Sequence, residues 1–237
     1  MDLKGDNMCT AIAKKGNDLI YGFSLDINPA EWEFELYKTE SCFTVGIKTG
    51  NTLYFTHGVN KNGNFGNVPY MNGQPFNAPG GAEKAQIDLL TDGYIRGRYT
   101  YGDIERIVCT KTVVSPPAVT MHSLFGSGNG DFLIVEPGYG YQKVKDSFAV
   151  IANFPVLTVL GDYSNPFYGK DRYDKAFSIL NKSGNDFSVT DALHLLNEVK
   201  QGGPWGTRVS FVYSGNENAV YYFLNGDASE IRIHRFE

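Results

Sequence analysis

Apolar-rich runs of five to seven residues, punctuated by Gly, Asn and Asp, recur along most of the chain, and this pattern predicts strands. Cys9–Ala13 and Leu19–Ser24 are the arms of an opening hairpin around Lys14-Lys15-Gly16-Asn17-Asp18. Strands follow at Glu33–Tyr37, Phe43–Lys48 and Thr52–Thr56, the last two joined by Thr49-Gly50-Asn51, a hairpin signal. Phe132–Glu136, entered from Gly128-Asn129-Gly130, and Ser147–Ala152 come next. Arg208–Tyr213 and Ala219–Leu224 flank Gly215-Asn216-Glu217-Asn218 as a further hairpin, and Glu230–Phe236 closes the chain. The period changes to helical in two places. Tyr173, Ala176, Phe177 and Leu180 fall at i, i+3, i+4 and i+7, with Asp171 as the expected N-cap and Gly184 past the end. Ala192, Leu195, Leu196 and Val199 repeat that spacing behind Ser188, and Gly202-Gly203-Pro204 stops the helix. Shorter helical stretches are read at Ala82–Leu90 and Asp103–Val108. Many antiparallel strands with helices bunched between them predict an α+β protein, and sheet packed on sheet with helices outside fits the order.

Composition narrows this picture. The 237 residues contain no repeat or linker-like tract, so residues 9–237 are read as a single domain behind a short segment, 1–8. A net charge of −5 supports neither nucleic acid nor an anionic membrane as a partner. The longest apolar stretch, Phe148 to Leu160, contains Asn153 and Pro155 and falls short of the roughly 20 residues a membrane span requires. The first residues lack a secretory apolar core, so a cytoplasmic location is expected. The three cysteines, Cys9, Cys42 and Cys109, are widely spaced and form no zinc pattern; neither a metal nor another cofactor is expected. Cys42 and Cys109 are read as small buried apolar residues.

Cys9 stands apart because of its position. Removal of the eight residues before it would place a thiol and a free α-amine on one residue. An α-amine has a pKa near roughly 8, so part of it is neutral at pH 7 and can serve as base for its own thiol. The hairpin sets Cys9 opposite residues 23–25 and brings Asp26 just past the facing strand, where a carboxylate could hold the amine. Translation from Met8 would need only methionine removal to give the same terminus.

Cys9-Thr10-Ala11-Ile12 followed by Gly22-Phe23-Ser24-Leu25-Asp26 resembles the opening of the choloylglycine hydrolase family, the linear-amide branch of the N-terminal nucleophile hydrolases. That family begins Cys-Thr and reaches a Gly-Arg-Asn-Leu-Asp motif at the same distance. Gly58-Val59-Asn60-Lys61-Asn62-Gly63 is similar to its Gly-Xaa-Asn-Glu-Lys-Gly turn, and Tyr70 falls where the family places an oxyanion-hole residue. Val150-Ile151-Ala152-Asn153-Phe154-Pro155 resembles its Thr-Asn-Xaa-Pro segment, and Lys170-Asp171-Arg172-Tyr173 its Ser-Xaa-Arg-Phe segment. The hairpin within Thr207–Phe223 matches its closing strand pair.

The resemblance implies a four-layer αββα sandwich of two antiparallel sheets and a cysteine exposed by loss of the preceding segment, often by self-cleavage. Cys9 would attack the carbonyl of a small N-acyl amide, with Asp26 orienting the amine. The Asn153 side chain and the Tyr70 backbone N–H would hold the oxyanion, and Arg172 would stabilise charge near the nucleophile. Preorganised donors of this kind contribute about 3–4 kcal/mol each. Water would then resolve the acyl-enzyme. Two departures bear on these implications. Phe23 and Ser24 replace the family's Arg-Asn, so Phe23 is read as an apolar wall for an acyl chain, or as the mark of a catalytically silent or acyl-transferring relative that binds an acyl ligand. Only 18 residues separate Asn153 from Arg172, where the bile-salt and penicillin V branch carries a long insertion that helps assemble tetramers. That argues against tetramers and bile salts and toward a compact acylase; another homo-oligomer stays open.

The residues taken singly keep other readings. Asp26 could cap the turn before Asn28-Pro29, Asn153 could be a structural polar bridge, and Arg172 could be solvated. A cation is mildly unfavourable in the first turn of a helix, which points to another task for Arg172. A plain β-rich binding protein with a coincidental Met-Cys pair is the third reading of the chain. The four histidines, His57, His122, His194 and His234, are scattered and are assigned no site, with His194 on the polar face of its helix.

Overall fold

The computed structural model describes residues 9–49, 52–71, 83–117, 119–157 and 169–237. The opening hairpin pairs β1 (Thr10–Lys15) with β2 (Leu19–Asp26), and β3 (Glu33–Lys38), β4 (Cys42–Thr49), β5 (Thr52–Asn60) and the short β6 (Phe65–Gly66) follow. β7 (Lys84–Gln86) leads into α1 (Ile87–Ile95), α2 (Tyr101–Thr110) and β8 (Thr112–Val114). Next come β9 (Ser123–Gly126), β10 (Phe132–Glu136), β11 (Gly140–Val144) and β12 (Phe148–Ile151). The chain ends with α3 (Lys170–Lys182), α4 (Val189–Glu198), β13 (Thr207–Ser214), β14 (Ala219–Leu224) and β15 (Arg232–Arg235).

Two antiparallel sheets result. The first runs β12-β1-β2-β13-β14-β15 and the second β11-β10-β9-β6-β5-β4-β3, while β7 and β8 pair in parallel apart from both. Alternation along each strand sorts side chains into layers. Ile12, Ile20, Val150 and Val212 point outward from the first sheet and pack on Ala176 and Leu180 of α3 and Ala192, Leu195 and Leu196 of α4. Their neighbours Ala11, Ala13, Tyr21, Phe23, Phe211 and Tyr213 point inward and meet Phe43, Val45 and Phe65 of the second sheet. Ile87, Leu90 and Tyr94 of α1 continue that core on the second sheet's outer face. The order is helix, sheet, sheet, helix, the expected αββα sandwich.

Aromatic rings fill the space between the sheets. Tyr21 stacks on Phe65 across the gap at 4.7 Å and donates its hydroxyl to the Ser127 carbonyl at 2.6 Å. Gly126 makes room for this ring, because a Cβ there would overlap it and come within 2.6 Å of its hydroxyl oxygen. Complete burial of one such side chain is worth about 1.5–3 kcal/mol. With Tyr21, Phe23, Phe43, Phe65 and Phe211 all fully buried, this layer outweighs any single helix cap at about 1 kcal/mol.

Several boundaries differ from the sequence reading. Asp171 does not cap α3; Gly169 does, at φ 83, and Asp171 lies in the first turn. Left-handed backbone favours glycine, and the pattern of apolar positions is blind to it. Ser188 caps α4 as expected, in a reciprocal capping box with Asp191. The stretch read as Ala82–Leu90 is strand β7 followed by α1, displaced toward the C-terminus, and Ala82 lies outside the described residues. Strands β6, β8, β9 and β11 carry no apolar run long enough to announce them; β11 is an edge strand with mostly exposed residues. Cys42 is buried, whereas Cys109 is exposed on α2 with its Sγ 3.0 Å from the Tyr141 hydroxyl, contrary to the expected burial. The turn residues Gly50 and Asn51 and the segment 1–8 lie outside the described residues, although Thr49 pairs with Thr52 as a hairpin requires. No helix among the described residues is long and apolar enough to cross a membrane.

Candidate active site

The register of the opening hairpin places Thr10 against Ser24 and Ala11 against Phe23, so Cys9 lies beside Leu25, one residue from Asp26. On the other side of β1, β12 pairs Ala11 with Ile151, which brings Ala152 and Asn153 alongside Cys9 at the end of the sheet. β13 pairs Thr207 with Asp26 on the remaining flank. α3 lies over this edge, and Arg172 in its first turn reaches down onto it. Four segments distant in sequence thus converge because three antiparallel pairings all terminate at one edge.

Asp26 is 1% exposed. Its Oδ2 accepts from Arg172 Nη1 at 3.2 Å and its Oδ1 from the Thr207 hydroxyl at 2.5 Å. Arg172 also donates from Nη1 to Thr10 Oγ1 and from Nη2 to Asn153 Oδ1, each at 3.0 Å. Asn153 in turn donates from Nδ2 to the Tyr70 carbonyl at 2.5 Å. Arg172 and Asn153 are therefore buried members of one polar network rather than solvated groups. Gly169 belongs to its frame, since a Cβ there would stand 2.6 Å from Arg172 Nη2. Asp26 does not cap the following turn; that task falls to Asn28, whose Oδ1 accepts from the Ala30 N–H.

Burial dominates the electrostatics. It pushes the Asp26 carboxyl up to about 7, against the opposing pull of Arg172 and the Thr207 hydroxyl. The Cys9 thiol is pushed up to about 12, first by burial and then by the Asp26 charge, which outweigh the Asp26 backbone hydrogen bond and Arg172.

A pocket of about 500 Å³, counting its open mouth, lies against the thiol. Its walls are Leu25, Ile27, Trp32, Ile47, Val68, Val119 and Met121, with Cys9, Asp26, His57 and Tyr70 contributing polar groups. Tyr70 bridges Met121, and the bridge bonds run from the Met71 and His122 N–H groups, so the Tyr70 N–H is not used in that pairing. Of the residues singled out from sequence, Cys9, Asp26 and Tyr70 line the pocket, and Arg172 and Asn153 stand behind them. Phe23 is fully buried and does not line it; its ring stacks at 4.4 Å on His57, which does.

His57, Trp32 and Met121 carry no site in the sequence pattern. His57 shares the inward face of β5 with Val59, so alternation alone marks it as a histidine on an apolar face. His122 is likewise without a site in the sequence pattern. It is fully buried, donates Nε2–H to the Ala152 carbonyl at 2.5 Å and has Nδ1 3.1 Å from Glu136 Oε1. Glu136 accepts from the Val156 and Leu157 N–H groups at 2.7 and 3.0 Å, and so pins the segment that carries Asn153. Among the described residues no cluster of His, Cys, Asp and Glu could hold a metal ion.

No family model matches the chain, and no curated protein matches it by sequence. Solved structures do match by fold. A mutant of the conjugated bile acid hydrolase from Clostridium perfringens superposes with a TM-score of 0.63 at 11% identity, over 97% of each chain. Another variant of that hydrolase gives 0.62 at 12% identity, again over 97% of both chains. Penicillin V acylase from Agrobacterium tumefaciens gives 0.61 at 15% identity, over 95% of this chain and 84% of its own. The chain has the αββα fold of the N-terminal nucleophile hydrolases.

Proposed function

We propose that this chain is an N-terminal cysteine amidase that cleaves the C–N bond of a small N-acyl amide through an acyl-enzyme. The observation that carries the reading is the convergence of Cys9, Asp26, Arg172, Asn153 and Tyr70 on an apolar pocket with the thiol at its wall. The names of its structural neighbours, a bile acid hydrolase and a penicillin acylase, agree with it.

The buried thiol, pushed up to about 12, is a poor nucleophile at neutral pH. Release of the Cys9 α-amine supplies a base on the same residue, close to Asp26. The amine takes the thiol proton as sulfur attacks the carbonyl, and the Asp26 carboxylate holds and orients the resulting ammonium. The Tyr70 N–H and the second Nδ2 proton of Asn153 receive the developing oxyanion. Arg172 fixes Asn153 through Oδ1, so that Nδ2 faces Tyr70, and offsets the Asp26 charge. The ammonium then protonates the leaving amine, and water resolves the thioester; transfer to another acceptor would use the same steps. The apolar walls hold the acyl portion.

Intact mass of the purified protein, combined with a Cys9→Ala variant, tests the reading. A mature chain beginning at Cys9, with turnover of N-acyl amides abolished in the folded Cys9→Ala protein, is the expected result. A folded chain that keeps Met1 and cleaves no amide would favour a silent, ligand-binding relative.

A further inference from the structure

His57 lies in β5, lines the pocket with Cys9, and has no part in the chemistry above. Its Nδ1 accepts from the Val68 N–H at 3.1 Å, which places the ring proton on Nε2. Phe23 covers one face of the ring, and the ring borders the pocket. His57 is 1% exposed, and among the described residues its Nε2 has no hydrogen-bond partner. Burial drives its pKa down to about 3, so the ring stays neutral and Nε2 acts only as a donor across the working pH range. Asp26 and Tyr70 bring oxygens to the same pocket, but those of Asp26 accept from Arg172 and Thr207 and the Tyr70 carbonyl accepts from Asn153, and none bonds to Nε2. A buried N–H is costly when unmet, so an occupant that brings an acceptor to it is favoured over one that does not.

We propose that the His57 Nε2–H selects acyl groups bearing an ether, keto or hydroxyl oxygen part-way along an otherwise apolar chain. The proposal rests on the acylase reading of the same pocket and names its substrate class. It follows from an asymmetry in recognition: a site built around a hydrogen bond rejects the all-carbon analogue that leaves its donor unmet.

The test uses hexanoic acid and the isosteres in which one methylene at a time is replaced by oxygen. Binding to the full chain carrying Cys9→Ala is followed by tryptophan fluorescence, because Trp32 lines the pocket. One isostere should bind about 10-fold more tightly than hexanoic acid, as one hydrogen bond predicts. His57→Phe, which keeps a ring against Phe23, should bring that ratio to about one. No preference at any position, or a preference that survives His57→Phe, overturns the proposal. A variant that weakens all the acids equally also overturns it, since His57 would then meet the carboxyl end instead. Should the variant not fold, the imidazole 15N and N–H resonances of His57 in the Cys9→Ala protein decide. They should shift when the preferred isostere binds and not with hexanoic acid, and equal shifts refute the proposal. Because these readouts need no turnover, an oxygen preference in a chain that cleaves no amide would sink the enzyme reading and leave the ligand class standing.

Discussion

Arg172→Met removes a buried guanidinium from the centre of the polar network and keeps much of its bulk. The variant loses the bonds to Thr10, Asp26 and Asn153 and, among the described residues, leaves the Asp26 carboxylate with the Thr207 hydroxyl as its side-chain donor. Breaking a buried pair from one side costs about 3–5 kcal/mol. Part of that cost depends on pH in a way the structure specifies. In the native protein the Asp26 pKa stands at about 7, above its ordinary 3.8. A carboxyl raised in the folded state contributes stability that is complete below its unfolded pKa and is lost as pH rises through its folded pKa. Without Arg172 the folded pKa rises further. Between pH 3.8 and about pH 7 both proteins hold Asp26 protonated and lose stability at the same rate, because only the unfolded carboxyl ionises there. Above it only the variant goes on losing stability, at about 1.4 kcal/mol per pH unit. Urea unfolding at pH 5.5 and pH 8.0 reads this directly. The variant's deficit should be larger at pH 8.0 by about 1.4 kcal/mol, and Asp26→Asn in the same background should remove the difference. A deficit equal at both pH values, or one that Asp26→Asn leaves pH-dependent, would refute the coupling between these residues.

Two further substitutions test the frame around the site. Gly126→Ala places a methyl group against the Tyr21 ring, which its stack on Phe65 and its bond to Ser127 hold in place, so the urea midpoint should fall by an amount equivalent to about 1–3 kcal/mol. An unchanged midpoint would mean that the ring can give way. Glu136→Gln turns an amide donor toward a backbone N–H that itself donates, that of Val156 if the nitrogen takes the Oε1 position and that of Leu157 if it takes the Oε2 position. Amide exchange at Val156 and Leu157 should quicken on the order of tenfold or more, while exchange in β14 stays the same.

Local chemistry made part of this molecule legible in one dimension. The opening hairpin is written in its own turn residues, and its register alone brings Cys9 near Asp26, because a strand pair joined by a short turn has little choice of partners. α4 is equally local: Ser188 and Asp191 close a capping box three residues apart, and the apolar period names the face that packs. The motif resemblance reached Asn153, Arg172 and Tyr70 as positions, but only the tertiary structure decided what surrounds them. Arg172 meets Asp26 across 146 residues because β12 pairs with β1 and α3 folds over that edge. Strand order of this kind leaves no local trace, since any edge strand with a buried face could accept β1. Gly169 is a related case, as its left-handed turn and its closeness to the guanidinium exist only once the helix has docked. The pocket depends still more on the packed state. The sequence makes Phe23 a candidate wall, yet it is His57 of the facing sheet, stacked on that ring, that borders the space beside the thiol. Which side chain of an inward row borders a pocket is set by how two sheets interdigitate, and that is a property of the pair of sheets rather than of either strand.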